Sequence, residues 1–422
     1  MSNNHVNVIF KDRKGFVWFG TNSGANRYDG YTFKVFQHDD TDSSSLEDNL
    51  VEGIFQGPEG KLYITTGLGG VNVYDPVTGA LMRHKAAYLK ERNLSPNGLV
   101  SIVHTKDDHY YFIYADSGLY RYDPGRGAVH IPSTVRTPGG ANLAITDAAA
   151  DRAGHIWLAY SSGILQRFDT RSQTFSLRTA INQRAAEQGN YGYKLYVDRK
   201  DKLWLFAQDN LSGLWDYDPS SGGLRHFTRD SGTIRLSSNN VSDVVQDDNG
   251  YIWVATDKGG LDILDIQNGT MRNLRQSDED RSLVENTSTA LYIDDLGTVW
   301  VGTLKKGICY YQQNMLRFPL YRREPGEPQS LPYDDVSCFA EDAKGNIWIG
   351  TDGGGLIYFD RRANNFKQYR RNNADANSLG SDAITSLLLD HRGILWIGTY
   401  QGGLDRYDGR NFTHYRHSQG DP

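Results

Sequence analysis

The sequence predicts an all-β protein with the architecture of a β-propeller, and three observations support this. A phrase of the form Gly-x-apolar-Trp-apolar-Gly-Thr recurs nine times at intervals of 45 to 49 residues. Each copy lies among four short segments whose apolar residues alternate or cluster as they do in strands. The chain has 45 Gly but only 12 Pro, which suits many tight turns between short strands. Four antiparallel strands in about 45 residues is the size of one propeller blade.

We number the repeats by the aromatic residue at the centre of the phrase. These anchor residues are Trp18, Tyr63, Phe112, Trp157, Trp204, Trp253, Trp300, Trp348 and Trp396. Repeat eight shows the four strands most clearly, at 336–342, 345–351, 354–360 and 365–369. Because blades pack face to face around an axis, we expect the anchor rings to fill the core between blades and not to stack on bases.

The turn from the first to the second strand has its own signature. Asp stands six residues before the anchor in seven repeats, at Asp12, Asp151, Asp198, Asp247, Asp294, Asp342 and Asp390. In most of these repeats Gly follows three residues later. Asp hydrogen-bonds the backbone of a tight turn and Gly accepts a positive φ, so the pattern predicts a structural turn. With one carboxylate per blade, a metal array is the weaker interpretation.

The chain becomes rich in proline after repeat seven. Four of the twelve prolines lie close together there: Pro319, Pro325, Pro328 and Pro332. We therefore expect residues 1–325 to form a seven-bladed propeller and residues 326–422 to form the first two blades of a second one. Two blades cannot bury their flanks alone, so we expect the natural chain to continue past Pro422. A single nine-bladed ring is the alternative. The one helical turn that we expect lies near 185–187.

Composition and motifs exclude several classes of function. With 45 Lys+Arg and 51 Asp+Glu the net charge is −6, and the basic stripe of a nucleic-acid binder is missing. The sequence contains no run of 18 apolar residues, so we expect no membrane contact. Residues 1–5 lack the start of a secretory signal. Cys309 and Cys338 lie in apolar strands, where we expect buried free thiols. Zinc-hydrolase spacings and nucleotide-binding fingerprints are missing as well, so we expect no cofactor and no metal.

The repeats resemble a known family. The segments at 12–30, which read DRKGFVWFGTNSGANRYDG, and at 393–409, which read GILWIGTYQGGLDRYDG, closely resemble two-component regulator propeller repeats. The resemblance covers essentially the whole chain. It is most specific in repeats one, six, eight and nine and looser in repeats two, three and five.

This resemblance implies a sensor. In that family such repeats form the periplasmic sensor region of hybrid two-component systems, in which two seven-bladed propellers precede an immunoglobulin-like module, a membrane helix, a histidine kinase and response-regulator segments. Many members detect oligosaccharide fragments and regulate polysaccharide use. By this likeness the chain would be the first propeller and the opening of the second, in the periplasm and within a homodimeric receptor. Any kinase activity would belong to the parent chain.

Strand connectivity predicts which loops share a face. Turns from strand two to strand three emerge at the same end as the links from strand four to the next blade, and these links are the long loops, where binding residues usually lie. Our candidate ligand-binding residues on this face are Asn22, Tyr114, Asp116, Tyr160, Gln208, Asp209, Asp257, Lys258, Lys305 and Lys306. For each of them an ordinary solvated turn residue is the alternative.

The residue types at these positions suit a sugar. Tyrosine rings stack on apolar sugar faces, while amides and carboxylates bond hydroxyl groups. Lys258, Lys305 and Lys306 could pair with a sulfate or a uronate carboxylate. A further set of asparagines precedes the first strands, at Asn4, Asn49, Asn97, Asn142, Asn240 and Asn286. Turn chemistry in the inter-blade links is the favoured interpretation of that set.

The leading hypothesis is a non-enzymatic sensor module that binds an oligosaccharide or another small extracellular solute. A polysaccharide lyase or glycosidase is the first alternative. A glycosidase would require two carboxylates about 5–10 Å apart, for which Asp116, Asp209 and Asp257 are the candidates. A protein-interaction platform is the second alternative, and an exposed apolar patch would indicate it.

Overall fold

The computed structural model describes residues 1–82, 85–133, 135–136, 140, 143–181, 192–207, 211–277, 282–312, 321–324, 326–327 and 329–417. The chain divides into two compact units, Met1–Asn314 and Met315–Pro422. The boundary that the proline-rich segment predicts, near residue 325, falls within the second unit. The described strands form nine antiparallel sheets in chain order, and the fold is the all-β propeller that the repeats predict.

The first three sheets each have four strands, and neighbours in sequence are neighbours in the sheet. Sheet one contains Val6–Lys11, Val17–Thr21, Gly24–Tyr28 and Phe33–Phe36; sheet two contains Val51–Gln56, Leu62–Thr66, Val71–Asp75 and Ala80–Leu81; sheet three contains Leu99–His104, Tyr110–Tyr114, Gly118–Asp123 and Gly127–Pro132.

The next three sheets repeat the same order. Sheet four contains Ile145–Ala150, Ile156–Tyr160, Ile164–Asp169 and Thr174–Ala180; sheet five contains Tyr193–Val197, Leu203–Ala207, Leu214–Asp218 and Gly223–Phe227; sheet six contains Val241–Gln246, Ile252–Thr256, Gly260–Asp265 and Thr270–Leu274.

Sheet seven shows three strands in the described part of the chain, and residues 313–320 lie outside it. Sheets eight and nine, which belong to the second unit, have four strands each. Sheet seven contains Ser288–Ile293, Val299–Thr303 and Ile308–Tyr311; sheet eight contains Val336–Glu341, Ile347–Thr351, Leu356–Asp360 and Asn365–Tyr369; sheet nine contains Ile384–Leu389, Leu395–Thr399, Gly403–Tyr407 and Phe412–Tyr415.

Helical structure occurs at a place that we did not predict. The helix α1, Lys85–Glu91, lies between sheets two and three, and its Ala, Leu, Lys and Glu residues are good helix formers. A 3-10 turn, Pro58–Gly60, joins the first two strands of sheet two. The turn expected near 185–187 lies outside the described residues.

Successive sheets of the first unit pack through their anchor rings. Trp18 is fully buried and its ring meets that of Tyr74 of sheet two edge-on, at 4.7 Å between centroids. The seventh sheet packs against the first, with the rings of Phe19 and Trp300 at 5.9 Å. Thr289 Oγ1 also donates to the carbonyl of Val6 at 2.5 Å. Such a cyclic order of neighbours is what a seven-bladed ring requires, while the division into seven plus two blades remains a prediction.

In the second unit, sheets eight and nine pack on each other in the same way. Trp348 of sheet eight contacts Tyr407 of sheet nine edge-on at 5.7 Å, in a core that also contains Ile384 and Leu395. The outward faces remain open, since Phe339 of sheet eight is 65% exposed and Leu388 of sheet nine is 63% exposed. Blade faces that are buried in the first unit are therefore partly solvent-accessible in the second.

Six of the seven Asp residues of the first turn also bind an indole, whereas Asp342 Oδ2 accepts the hydroxyl of Tyr358 instead. Asp12 accepts the main-chain N–H of Lys14 at 2.9 Å and of Phe16 at 3.0 Å through one oxygen. Its other oxygen accepts the indole N–H of Trp18 at 2.8 Å. Five further Asp residues bind their own anchor indole in the same way, at 2.9–3.2 Å: Asp151, Asp198, Asp247, Asp294 and Asp390. The turn prediction is confirmed, and the bond to the indole explains the fixed spacing of six residues.

Two expectations for single residues were wrong. In repeat three the residue equivalent to Trp18 is Tyr111, not Phe112, because Thr105 N bonds His109 O as Asp12 N bonds Phe16 O. A shift of one residue moves a side chain to the other face of a strand. The two cysteines are free, but Cys309 and Cys338 are half-buried and not buried. Burial nevertheless raises the pKa of the Cys309 thiol.

Candidate ligand-binding face

The turns from strand two to strand three lie beside the inter-blade links, as connectivity predicts. In sheet one the N–H of Gly24 donates to Asn49 O at 2.7 Å, which ties the turn to the link that follows. In sheet seven the N–H of Leu304 donates to Thr287 O at 3.2 Å, which ties the turn to the link that precedes it. The loops of this end of the first unit therefore form one hydrogen-bonded surface, which we call the loop face.

The threonine of the Gly-Thr phrase points away from solvent at this face. Thr21 is fully buried and its hydroxyl donates to Gly24 O at 2.8 Å. The same bond recurs in sheets six, seven, eight and nine, from Thr256, Thr303, Thr351 and Thr399. The last residue of the second strand thus closes the turn, and only the residues after it reach solvent.

Tyr114 and Tyr160 occupy this threonine position, so their prediction as ligand-facing residues was wrong. Tyr114 is 3% exposed and donates to Ser95 O at 2.9 Å. Tyr160 is fully buried and donates to Gln166 Oε1 at 3.0 Å. Burial raises the pKa of both phenols. Both side chains are part of the core.

Asn22 is exposed and belongs to a chain of polar contacts in sheet one. Its Oδ1 accepts a bond from Asn7 Nδ2 at 2.9 Å, and Asn7 Nδ2 also reaches Val51 O of sheet two at 3.0 Å. Its Nδ2 lies 3.0 Å from His5 Nδ1. An amide donor requires an unprotonated acceptor, so the neutral ring of His5 has its proton on Nε2. The pKa of His5 is lowered, because the effect of burial exceeds the opposing effect of the negative charge of Glu285.

Asp257 and Lys258 follow the second strand of sheet six and meet the link to sheet seven. Asp257 is half-buried and its Oδ1 accepts the hydroxyl of Thr287 at 3.1 Å. The N–H of Lys258 donates to the same hydroxyl at 3.2 Å. Lys258 has φ of 60°, in the left-handed region, so the turn is held in a conformation that few side chains favour. Its ammonium group points to solvent.

Lys305 and Lys306 form the corresponding turn of sheet seven and are exposed. The N–H of Lys305 donates to Glu285 Oε2 at 2.7 Å, and that of Lys306 donates to Thr303 Oγ1 at 3.0 Å. Within the part of the chain that the structure describes, neither ammonium group has a hydrogen bond or an ion pair. Main-chain bonds therefore fix the turn and leave both charges available.

These contacts join the loop face of sheets six, seven and one into one sector, which we call the basic sector. From the predicted set it contains Asn22, Asp257, Lys258, Lys305 and Lys306. The sector also contains His5, Asn7, Glu285 and Thr287, which were not predicted from the sequence. Glu285 and Thr287 flank Asn286 in a link that was already singled out, so their position was a usable signal. His5 and Glu285 are 280 residues apart in sequence, and no local pattern relates them.

The remaining candidates lie elsewhere. Asp116 is exposed in the turn of sheet three, two sheets from sheet one in chain order. Gln208 and Asp209 lie outside the described residues. Of the three carboxylates proposed for a glycosidase, Asp116 and Asp257 belong to sheets three and six, and Asp209 is not described. Among the described residues, no group of three or more His, Cys, Asp and Glu could hold a metal ion.

The asparagines before the first strands are turn residues. Asn49 Oδ1 accepts the N–H of His38 at 2.8 Å, and Asn286 Oδ1 accepts that of Gln276 at 2.8 Å. In the link to sheet six the equivalent bond comes from Arg229 N to Asn239, at 2.7 Å, and not to Asn240. The amides of Asn49, Asn239 and Asn286 close long links, which agrees with the structural interpretation for Asn49 and Asn286. Asn142 lies outside the described residues.

The basic sector can bind a polar or anionic solute. Three exposed ammonium groups are offset by Asp257 and Glu285, so its formal charge is +1. Asn22 presents an amide on sheet one, held by His5 and Asn7. Ammonium groups pair with sulfate, phosphate and carboxylate, while amides bond hydroxyl groups.

Comparison with known families supports the repeat analysis. Residues 1–23, 235–258, 330–353 and 378–401 match the model of the two-component regulator propeller. These are parts of repeats one, six, eight and nine, the four in which the resemblance was most specific. No curated protein sequence matches the chain.

Solved structures of similar fold include two receptor domains from B. thetaiotaomicron. One is described as the extracellular domain of the hybrid two-component system BT3049, with 22% identity and a TM-score of 0.59 over 100% of this chain and 54% of that one. The other, of the one-component system BT4673, shows 22% identity and a TM-score of 0.57 over 98% and 53%. This chain spans about half the length of these domains. Identity at this level supports the fold alone.

A streptogramin B lyase has a similar fold, with 12% identity and a TM-score of 0.52 over 73% of this chain and 93% of the lyase. The propeller therefore occurs in an enzyme as well as in receptor domains, and fold does not separate the two functions. Among the helices of the described residues, none has the length and apolar character that crossing a bilayer demands.

Proposed function

Since four of the repeats match the two-component regulator propeller, we propose that the chain is the extracytoplasmic ligand-sensing module of a hybrid two-component receptor. It would lie in the periplasm, and a histidine kinase would belong to the parent chain, which we expect to be a homodimer. Similarity to receptor extracellular domains over the whole chain supports this assignment. The module itself would bind without catalysis.

The basic sector is the observation that carries the proposal. It places Lys258, Lys305 and Lys306 on adjacent sheets, with their charges free and their turns fixed by main-chain bonds. Asn22 adds an oriented amide on sheet one, next to sheet seven. An oligosaccharide with sulfate or uronate groups fits this chemistry, because the ammonium groups meet the anions and the amide meets hydroxyl groups. We expect such a fragment to be the ligand.

Titration calorimetry with a panel of neutral, uronate-containing and sulfated oligosaccharides tests this. We expect an anionic fragment to bind, and we expect Lys305→Ala with Lys306→Ala to weaken it about tenfold or more, because charge-assisted contacts contribute on the order of 1 kcal/mol each. The matched control is Lys200→Ala, which removes an exposed lysine from the first turn of sheet five, at the opposite end of the strands.

Two outcomes contradict the proposal. Equal weakening by the control would mean that binding follows net charge and not the basic sector. Release of shortened products from the bound fragment would make the chain an enzyme, as in the alternative hypothesis. If a neutral fragment bound and substitution of the three lysines left its affinity unchanged, the sensor function would stand but the ligand site would lie elsewhere.

A further inference from the structure

The first strands of sheets four and six place a carboxylate where it joins the next sheet. Asp147 Oδ2 accepts the N–H of Leu195, in sheet five, at 3.0 Å. Asp243 Oδ2 accepts the N–H of Leu291, in sheet seven, at 2.7 Å. Each Asp is the third residue of its strand and follows an irregularity in the pairing register. A local bulge re-aims a side chain, and here the carboxylate is available to the neighbouring sheet.

Each carboxylate is also held by its own strand. Asp147 Oδ1 accepts the N–H of Ala148 at 2.9 Å, and Asp243 Oδ1 accepts that of Val244 at 2.8 Å. Both oxygens of each group therefore meet a main-chain donor, one within the sheet and one across the junction. A carboxylate satisfies both donors at once, whereas a protonated carboxyl group has one oxygen that must also donate.

In the first strands of sheets one, three and seven, an amide or a hydroxyl makes a bond to the neighbouring sheet. Asn7 Nδ2 donates to Val51 O, Ser101 Oγ to Ala148 O, and the hydroxyl of Thr289 to the carbonyl of Val6. At the position of Asp243 the first, second and seventh sheets have Val8, Gly53 and Ala290. Among the first strands of the first unit, those of sheets four and six thus have an Asp whose carboxylate accepts a main-chain N–H of the next sheet.

The surroundings of Asp243 make its charge sensitive. The pKa of Asp243 is raised to about 6, mainly by burial and also by the negative charge of Asp147. The hydrogen bonds from Leu291 and Val244 and the positive charge of Lys194 act in the opposite direction. Burial also raises the pKa of Asp147, against Lys194 and the two main-chain bonds. The groups that face Asp243 are therefore Asp147 of sheet four and Lys194 and Tyr196 of sheet five.

We propose that Asp147, Lys194 and Asp243 form a proton-responsive latch on the first strands of the first unit, in which the charge of Asp243 sets how sheets six and seven are joined. The three residues stand on consecutive sheets, half-buried, as carboxylate, ammonium and carboxylate. The latch is independent of the basic sector and of any ligand. Its failure would leave the proposed function intact, and the reverse also holds.

The sign of the effect follows from linkage. In the folded chain the pKa of Asp243 is above its ordinary value of 3.8, so folding takes up a proton between these values. The stabilisation from this group is complete below about pH 4 and is lost as pH rises through 6. At neutral pH Asp243 is ionised. Its carboxylate accepts the N–H groups of Val244 and Leu291, while burial opposes the negative charge.

Carbon-13 NMR of the Asp side chains in the full chain tests the latch directly. We expect a carboxyl signal that titrates near pH 6 and disappears in Asp243→Asn, and the Leu291 amide proton should shift with the same midpoint. Asp230→Asn, a change at an exposed Asp in the link between sheets five and six, is the control and should leave both signals unchanged. A midpoint near 4 for Asp243 would overturn the proposal.

Two further variants test the coupling with opposite signs. Asp147→Asn removes a neighbouring negative charge and should lower the midpoint of Asp243. Lys194→Met removes the positive charge and should raise it. Shifts in the same direction, or no shift in either variant, would show that the three groups do not act together. These variants leave Asp243 in place, so they decide the question even where Asp243→Asn fails to fold.

Discussion

In sheets one and two, the residue that begins the first turn packs against the anchor ring in different ways. In sheet one, Asp12 holds the turn and the indole N–H of Trp18. In sheet two, Gly57 stands at the equivalent position and the anchor is Tyr63. A side chain at Gly57 would place its Cβ 2.3 Å from the ring of Tyr63. The aromatic ring therefore fills the space that the carboxylate occupies in sheet one.

This difference shows that the anchor and the turn residue work as a pair. Seven repeats have both Asp and Trp at these positions, and sheets two and three have neither, with Gly57 before Tyr63 and Thr105 before Tyr111. An indole needs an acceptor when buried, and a phenol can find one elsewhere. The hydroxyl of Tyr63 lies 3.5 Å from that of Tyr88, in helix α1. The unpredicted helix thus accompanies the exchange of Trp for Tyr.

The largest effect on this comparison should come from deleting an anchor ring. Trp18 is fully buried between sheets one and two, so Trp18→Ala should lower the free energy of unfolding by about 3–5 kcal/mol. Urea denaturation of the full chain, followed by far-ultraviolet circular dichroism, measures this. Replacing exposed Tyr31 by Ala, also in sheet one's repeat, should change stability little. A loss below about 1 kcal/mol would mean that the anchors do not hold the blades together.

Filling the space above Tyr63 should have the next largest effect. Gly57→Ala forces the Tyr63 ring to move, and overpacking of this kind costs about 1–3 kcal/mol. The matched control is Gly232→Ala, because a Cβ there meets nothing within 4 Å and its φ lies outside the left-handed region. The same denaturation measurement applies. A neutral Gly57→Ala would show that the Tyr63 ring does not exclude a side chain.

The indole bond itself can be isolated by a double-mutant cycle. Trp18→Phe and Asp12→Ala, singly and together, should give a coupling free energy of about 0.5–1.5 kcal/mol, the usual size of one buried hydrogen bond. In sheet two, Tyr63→Phe with Gly57 unchanged should cost less, because no carboxylate is left without a donor. Additive effects of the Asp12 and Trp18 changes would show that the fixed spacing has another cause.

The smallest effect should occur where the pair lies near solvent. The pKa of Asp390 is lowered, first by the N–H of Ile394 and also by the indole of Trp396. A lowered pKa contributes stability above the ordinary Asp value, and the contribution is lost as pH falls through the folded value. In an NMR titration, Trp396→Phe should move the Asp390 midpoint upward. Tyr415→Phe, a change on the same sheet, should leave it unchanged.

Strand connectivity predicted which turns share the loop face, but the strand register decided which of their side chains reach solvent. Lys258, Lys305 and Asn22 could be predicted as exposed because they come after the residue that closes the turn. The prediction was wrong for Tyr114 and Tyr160, because they occupy the position that closes the turn, where the side chain points into the core. A pattern of apolar and polar letters does not distinguish these two positions, whereas the strand register does.

The sequence by itself determined the features that depend on contacts within a few residues. The strands, the Asp-closed turns and the repeat length all follow from local hydrogen bonds and alternation, as between Asp12 and Lys14. Tertiary structure alone decided which distant residues meet, such as Thr289 and the carbonyl of Val6, or Asp243 and the main chain of Leu291. Each of these contacts crosses a junction between blades, and no local pattern encodes such a junction because its two sides fold as separate sheets.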